Sequence, residues 1–183
     1  MRVLEIVPDG GAMTILVLGL GNTLLTDDGV GIHVVHAVQR SDAAPSLICI
    51  DGGTIGLGLL PEVEAADALI LVDAAEIGAA PGTIAVFEGD AMDTQLGGKK
   101  RTPHEVAAFD LIATATMLGS CPRRRALVGV QPASTEWGLE PTADVGAAIE
   151  AACASVLGLA ARWRVEMVEE RTLAVNAGGG TRP

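Results

Sequence analysis

Short unbroken apolar runs alternate along this chain with segments of helical spacing. Ile15-Leu16-Val17-Leu18 is apolar at every position, the pattern of a parallel strand covered on both faces, and Gly19-Leu20-Gly21-Asn22 closes it. Beyond the acidic pair Asp27-Asp28, Val30, Val34, Ala37 and Val38 recur at helical spacing, which predicts a helix over Val30 to Gln39. The two carboxylates then stand at the positive end of its macrodipole. The same unit recurs twice. Leu47 to Ile50 reads as a strand ending at Asp51-Gly52-Gly53-Thr54 and leading into Leu57 to Val63, and Ala68 to Val72 reads as a strand ending at Asp73 with an acidic, alanine-rich continuation. After the turn signal Pro81-Gly82, Thr83 to Glu88 alternates as a strand at a sheet edge does. Thr102-Pro103 has the form of an N-cap followed by proline in the first helical position, opening a helix toward Leu118. Ala126 to Val130 is a further buried strand, and Thr142 to Arg162 a long alanine-rich helix without internal proline.

Strands alternating with helices predict an α/β fold, a three-layer sandwich around a mostly parallel, doubly wound sheet. The division expected is an N-terminal extension over 1–12, rich in turn residues, a single domain over 13–165, and a flexible tail over 166–183 that ends in the glycine-rich stretch after Asn176. Met13, directly before the first strand, is a second candidate for the natural first residue. Ligands of such sheets bind at the carboxyl ends of the strands. That rule selects Gly21 to Asp28, Asp51 to Thr54, Asp73 to Glu76 and Gln131-Pro132, and within them Asp51, Gly52, Gly53, Thr54 and Gln131 are expected to bind substrate.

Charge narrows the choice of ligand. Twelve basic and 23 acidic residues among 183 leave a formal net charge of −11, which opposes phosphate backbones and anionic lipid, so neither nucleic acid nor membrane is an expected partner. The apolar run Ile15 to Leu20 is far short of the roughly 20 residues a bilayer span requires, and it lacks a basic flank and a small-residue cleavage site. Cys49, Cys121 and Cys153 are odd in number and widely spaced, which suits buried reduced thiols and not a disulfide framework or a thiolate zinc site. A cytoplasmic monomer is expected.

Gly19-Leu20-Gly21, with Asp51 at the end of the second strand, superficially matches a dinucleotide fingerprint. Leu24 occupies the third glycine position, however, and Asp27 and Asp28 stand where a helix N-terminus would receive a diphosphate. Two carboxylates there favour a cation, so no NAD and no nucleotide is expected. Asp28, Asp73 and His104 then form a candidate metal site: two hard oxygen donors and an imidazole suit nickel or zinc, and three protein ligands leave a position for water or substrate. The chemistry that follows is hydrolysis. His33 and His36, at i and i+3, are a rival pair, read as a partly exposed helix face because no acid follows at matching spacing. Glu62 and Glu64 read as solvated helix charges, and Arg123-Arg124-Arg125 as a solvated turn.

The residues from Ile15 to Gly31, Asp51-Gly-Gly-Thr54, Ala68 to Ala74, Pro81-Gly82-Thr83, Thr102-Pro103-His104 and Gly129-Val-Gln-Pro132, in this order and spacing, resemble the hydrogenase maturation proteases, with the likeness running from about Met13 to Ala160. Those endopeptidases trim the C-terminus of the nickel-iron hydrogenase large subunit. The resemblance implies that Asp28, Asp73 and His104 bind the nickel already inserted in the precursor, so that the cofactor is nickel carried by the substrate. It implies an aspartic-type peptidase in which Asp28 and Asp73 are catalytic, with the large-subunit precursor as partner. Many members carry glutamate where this chain has the shorter Asp28, and most begin at the first strand, without an extension like 1–12.

Neither G-x-S-x-G nor H-E-x-x-H occurs, and neither aspartate lies in a D-[ST]-G setting. Two mechanisms stay open: the gripped metal polarises the scissile carbonyl or activates water, or a carboxylate is general base while the metal orients the substrate. The alternative of a different class is a non-catalytic, nickel-dependent checkpoint that binds the precursor without cutting it.

Overall fold

The computed structural model describes residues 13–98 and 103–178; the expected extension over 1–12 lies outside the described residues. Five strands, β1 (Ile15–Leu20), β2 (Ile48–Gly53), β3 (Ala68–Ala74), β4 (Ile84–Glu88) and β5 (Arg124–Val130), form one sheet in the order β2-β1-β3-β5-β4. All neighbours pair parallel except β4, which runs antiparallel to β5 at the edge. The alternation of Thr83 to Glu88 matches that edge position, since one face of such a strand meets solvent.

Among the described residues, five α-helices accompany the sheet: α1 (Val30–Gln39), α2 (Leu60–Glu64), α3 (Asp90–Leu96), α4 (Pro103–Leu118) and α5 (Ala143–Gly178). On one sheet face, Ile15, Val17, Ile70, Val72 and Val128 pack against Val34, Val35 and Val38 of α1 and Val145, Ala152, Val156 and Trp163 of α5. On the other, Leu16, Leu18, Leu69, Leu71 and Leu127 meet Val63, Met92, Leu96, Leu111 and Ala115 from α2, α3 and α4. Alternate residues of the same strands thus feed two cores, the three layers the sequence predicts. Continuous apolar runs in β1 and β3 follow directly, because both faces are covered.

The chain moves from β1 outward to β2 and then back past β1 to β3, so the strand order reverses between β1 and β3. Right-handed crossovers on either side of that reversal place their helices on opposite faces and leave a crevice at the carboxyl ends of the two strands. Gly19 pairs with Val72 there. The first turn of α1 lies directly over the junction: a Cβ on Gly31 would stand 2.2 Å from the Val72 carbonyl oxygen and 2.4 Å from that of Leu20. Backbone cannot yield as a flexible side chain can. Gly31→Ala is expected to destabilise the fold by about 2 kcal/mol or more, visible as a lowered melting temperature; an unchanged melt would show that α1 is not wedged against the strand ends.

Three elements differ from their sequence readings. The long helix does not stop at Arg162: Trp163 and Met167 continue its buried face, and α5 runs through Gly178, so 166–178 is helical where a tail was expected. By length and composition part of α5 could cross a membrane; Val145, Ala152, Val156, Leu159, Trp163 and Met167 of that helix are buried in the core on the sheet, whereas Val165, Val168 and Leu173 are exposed. Arg124 and Arg125 are not a solvated turn. They begin β5, where Arg124 is paired with Glu166 and Glu170 of α5 and the Arg125 guanidinium binds Asp93 of α3 through both carboxylate oxygens. Finally, α3 was not anticipated; it buries only Met92 and Leu96 and leans on that ion pair.

Candidate functional site

The crevice at the β1/β3 reversal gathers the two carboxylates singled out in the sequence. Asp73 is the penultimate residue of β3 and 3% exposed; Asp28 lies in the 3-10 turn Thr26–Gly29 that leads into α1 and is 1% exposed. That turn touches β3, so both acids stand at the same end of the sheet. The loop reaches this position by doubling back tightly. Gly21 has φ +123°, and a Cβ on it would lie 1.8 Å from the Asp28 carbonyl oxygen, so only glycine fits. The Asn22 N–H donates to Asp28 Oδ2 at 3.0 Å, and the Asn22 side-chain oxygen accepts from Leu24 N. Carboxylates so deeply buried at a strand end are expensive unless they are bonded or meet a cation.

The third expected ligand, His104, is the second residue of α4, which opens at Pro103 as the sequence predicts; its side chain, like those of Pro103 and Glu105, lies outside the described residues. Position 104 is one turn ahead of Ala107 and Ala108, and these, with Leu111, line a small cleft whose other walls are Leu20, Gly53, Thr54 and Gly56. The cleft therefore runs from the end of β1, between the exit of β2 and α4, toward the start of that helix. Among the described residues no three His, Cys, Asp or Glu side chains are grouped to hold a metal ion.

The expected substrate-binding residues separate into two groups. Gly53 and Thr54 line the cleft. Gly52 is packed beneath Leu18 and Leu59, and Asp51 turns away: its Oδ1 accepts from Gly53 N and its Oδ2 lies 3.5 Å from His36 Nε2. Gln131 is a tie and not a free binding group. It is 5% exposed, its side-chain oxygen accepts from the N–H groups of Ile77 and Ala79, and its amide nitrogen donates to the Pro132 carbonyl.

His36 therefore finds its acid on β2 and not on its own helix, while the Nε2 of His33 is buried with no hydrogen-bond partner. An exposed pair of this kind contributes about 1 kcal/mol at most. His33→Ala and His36→Ala are expected to leave catalytic activity within about twofold of the unaltered protein; loss of activity in either would shift the site toward α1. Cys49 and Cys153 are poorly suited to act as nucleophiles. Burial, reinforced by Cys153, pushes the Cys49 thiol up to about 11, and burial raises Cys153 as well, so both stay protonated at neutral pH.

Sequence reasoning missed what holds the first loop in place. Asp27, 0% exposed, accepts from Ala133 N and Ser134 N at 2.8 and 3.0 Å through Oδ2, from Thr142 N at 2.6 Å through Oδ1, and from the Thr142 hydroxyl at 2.9 Å. Thr26, at φ +40°, donates its hydroxyl to the Ser134 carbonyl and its N–H to that of Gly138. Gly138 N donates in return to the Leu24 carbonyl. The loop after β1 and the loop before α5 form one sewn unit. On its outer side Leu24, Trp137 and Leu139 are exposed, Trp137 at 82%. No local pattern could have shown this, because the partners lie more than 100 residues apart.

Comparisons with known proteins speak to the family and the fold. A family model described as hydrogenase maturation protease matches residues 32–159. The chain is 37% identical over 161 residues to the hydrogenase expression/formation protein HupD of Rhodobacter capsulatus, covering 87% of this chain and 77% of that one. It is 34% identical over 163 residues to the hydrogenase 2 maturation protease of Escherichia coli, covering 88% of this chain and 99% of the relative. Among solved structures, the hydrogenase maturating endopeptidase HybD from E. coli superposes with a TM-score of 0.73 at 35% identity, over 80% of this chain and 91% of that one.

Proposed function

The chain belongs to the hydrogenase maturation proteases, and from that premise we propose that it is the endopeptidase that removes the C-terminal extension from the nickel-loaded large-subunit precursor of a nickel-iron hydrogenase. The observation that carries this reading is the pair of buried carboxylates, Asp28 and Asp73, at the β1/β3 reversal; His104, near the start of α4, is the imidazole this reading adds to them. Two carboxylates and an imidazole offer hard and borderline donors to a divalent ion that arrives with the substrate. The exposed apolar side chains Leu24, Trp137 and Leu139 at the rim suit a protein substrate better than a small molecule.

In this reading Asp28, Asp73 and His104 grip the nickel held by the precursor and so align the adjoining peptide bond. Water adds to the scissile carbonyl carbon, the C–N bond breaks, and the proton lost by the water passes through a site carboxylate to the leaving amine. The activity is aspartic-type in the sense that Asp28 and Asp73 supply both the carboxylate that moves the proton and the ligands that hold the metal. Gly53 and Thr54, lining the cleft beside α4, bind the segment next to the cut. The setting is the cytoplasm, in keeping with three cysteines that are free thiols.

The test is to incubate purified protein with nickel-loaded precursor and weigh the large subunit before and after. A single loss of mass at its C-terminus is expected. An intact precursor that nevertheless binds only when nickel is present would replace this reading with the non-catalytic checkpoint.

A further inference from the structure

We propose that Asp27 is a positioning residue, whose carboxylate clamps the loop after β1 to the loop before α5 and thereby fixes where its neighbour Asp28 meets the substrate's metal. The proposal rests on the function proposed above and deepens it. Three backbone N–H groups and one hydroxyl converge on Asp27, two donors coming from Ala133 and Ser134 and two from Thr142. A carboxylate only accepts, through about four lone-pair directions, so four donors match its capacity. Both oxygens are engaged with this loop, so Asp27 acts through Asp28. The transmission is short and stiff: Asp27 and Asp28 are consecutive residues of the same turn, Thr26–Gly29, which is followed without a break by α1. Thr26 in its left-handed backbone conformation binds the same loop on the other side of Asp27.

Asparagine is the same size as aspartate, but its amide group must turn two N–H bonds toward donors already aimed at the site. In Asp27→Asn the 133–142 loop therefore loses part of its hold, the turn loosens, and Asp28 no longer stands at one fixed distance from Asp73. A site that grips metal with fewer fixed ligands discriminates less between precursor with and without nickel. A residue that merely stabilises the fold would lower both affinities together.

The experiment measures binding of nickel-loaded and metal-free precursor to four full-length proteins: the unaltered chain, Asp27→Asn, Thr142→Val and Val156→Ala. Val156 is fully buried on α5 away from the site, so its variant reports the effect of lost stability alone. The unaltered protein and Val156→Ala are expected to prefer the loaded form by about tenfold or more, whereas Asp27→Asn falls to about twofold. Thr142→Val, which removes the hydroxyl bond and keeps the backbone one, lies between them and carries the test if Asp27→Asn does not fold. A preference retained by Asp27→Asn, or by Thr142→Val in its place, overturns the positioning role while leaving the proposed function standing. A preference lost equally in Val156→Ala overturns it too, since stability would then explain the effect. No preference in the unaltered protein overturns the nickel reading and this proposal together.

Discussion

Asp73→Asn is expected to leave a folded protein that processes precursor about 100-fold more slowly or not at all. The substitution keeps the shape of the side chain and removes one negative charge at the end of β3. That residue is 3% exposed, on a strand whose apolar residues are the centre of both cores. None of those apolar contacts is altered, so the circular dichroism should remain that of a folded protein. What changes is the donor: a neutral amide is a much poorer ligand for a divalent ion than a carboxylate, and it cannot accept a proton from water. Asp28→Asn and His104→Ala should have losses of the same order, because water does not replace one of three ligands at comparable affinity in an open site. Near-normal processing by a folded Asp73→Asn variant would remove that carboxylate from both the metal site and the chemistry.

Where structure is decided by neighbours in sequence, the chain declared it. The helical spacing of α1 has bounds that agree with the structure, Val30–Gln39 without any shift, while the unbroken apolar run marks the start of β1, which continues two residues beyond Leu18 to Leu20. The carboxyl-end rule alone places Asp28 and Asp73 at one end of the sheet. Distant partners were not legible. Asp27 looked like a helix-end acid and is instead the centre of a tie to residues 133–142, more than 100 positions away. Gln131 stood correctly at a strand end, but its amide is spent on Ile77 and Ala79, which no spacing rule foretells. Arg124 and Arg125 resembled a solvated basic run because their acids, Glu166, Glu170 and Asp93, belong to other helices. The extension of α5 is a different case: Trp163 and Met167 continue the spacing of Ala152, Val156 and Leu159, so the signal was present and the break after Arg162 was drawn too early.

The second large effect concerns the substrate. Metal-free precursor is expected to remain uncut at protein concentrations where the nickel-loaded form is fully processed, with a difference of about 100-fold or more in rate at equal concentration. Such a ratio requires only about 2.7 kcal/mol of differential interaction. Apparent free energies of divalent metal binding to protein sites exceed that several times over, so a modest share of the coordination energy suffices. The gain would depend on the proposed ligands being held in advance; Asp28 and Asp73 are both buried, and Asp28 accepts from the Asn22 N–H. On the proposed function, withholding the cut from an empty precursor would make an irreversible step wait for insertion, the discrimination coming from an unfilled coordination position in the wrong substrate. Proteins without such a metal, casein for instance, should not be cut.

The most direct measurement of the central claim is the mass of the large subunit after purified protein has been incubated, in parallel, with precursor prepared with nickel and precursor prepared without it. The account predicts one C-terminal cut in the loaded form and an intact mass for the other. Equal cleavage of both would contradict it, and would mean that Asp28, Asp73 and His104 do not read the metal.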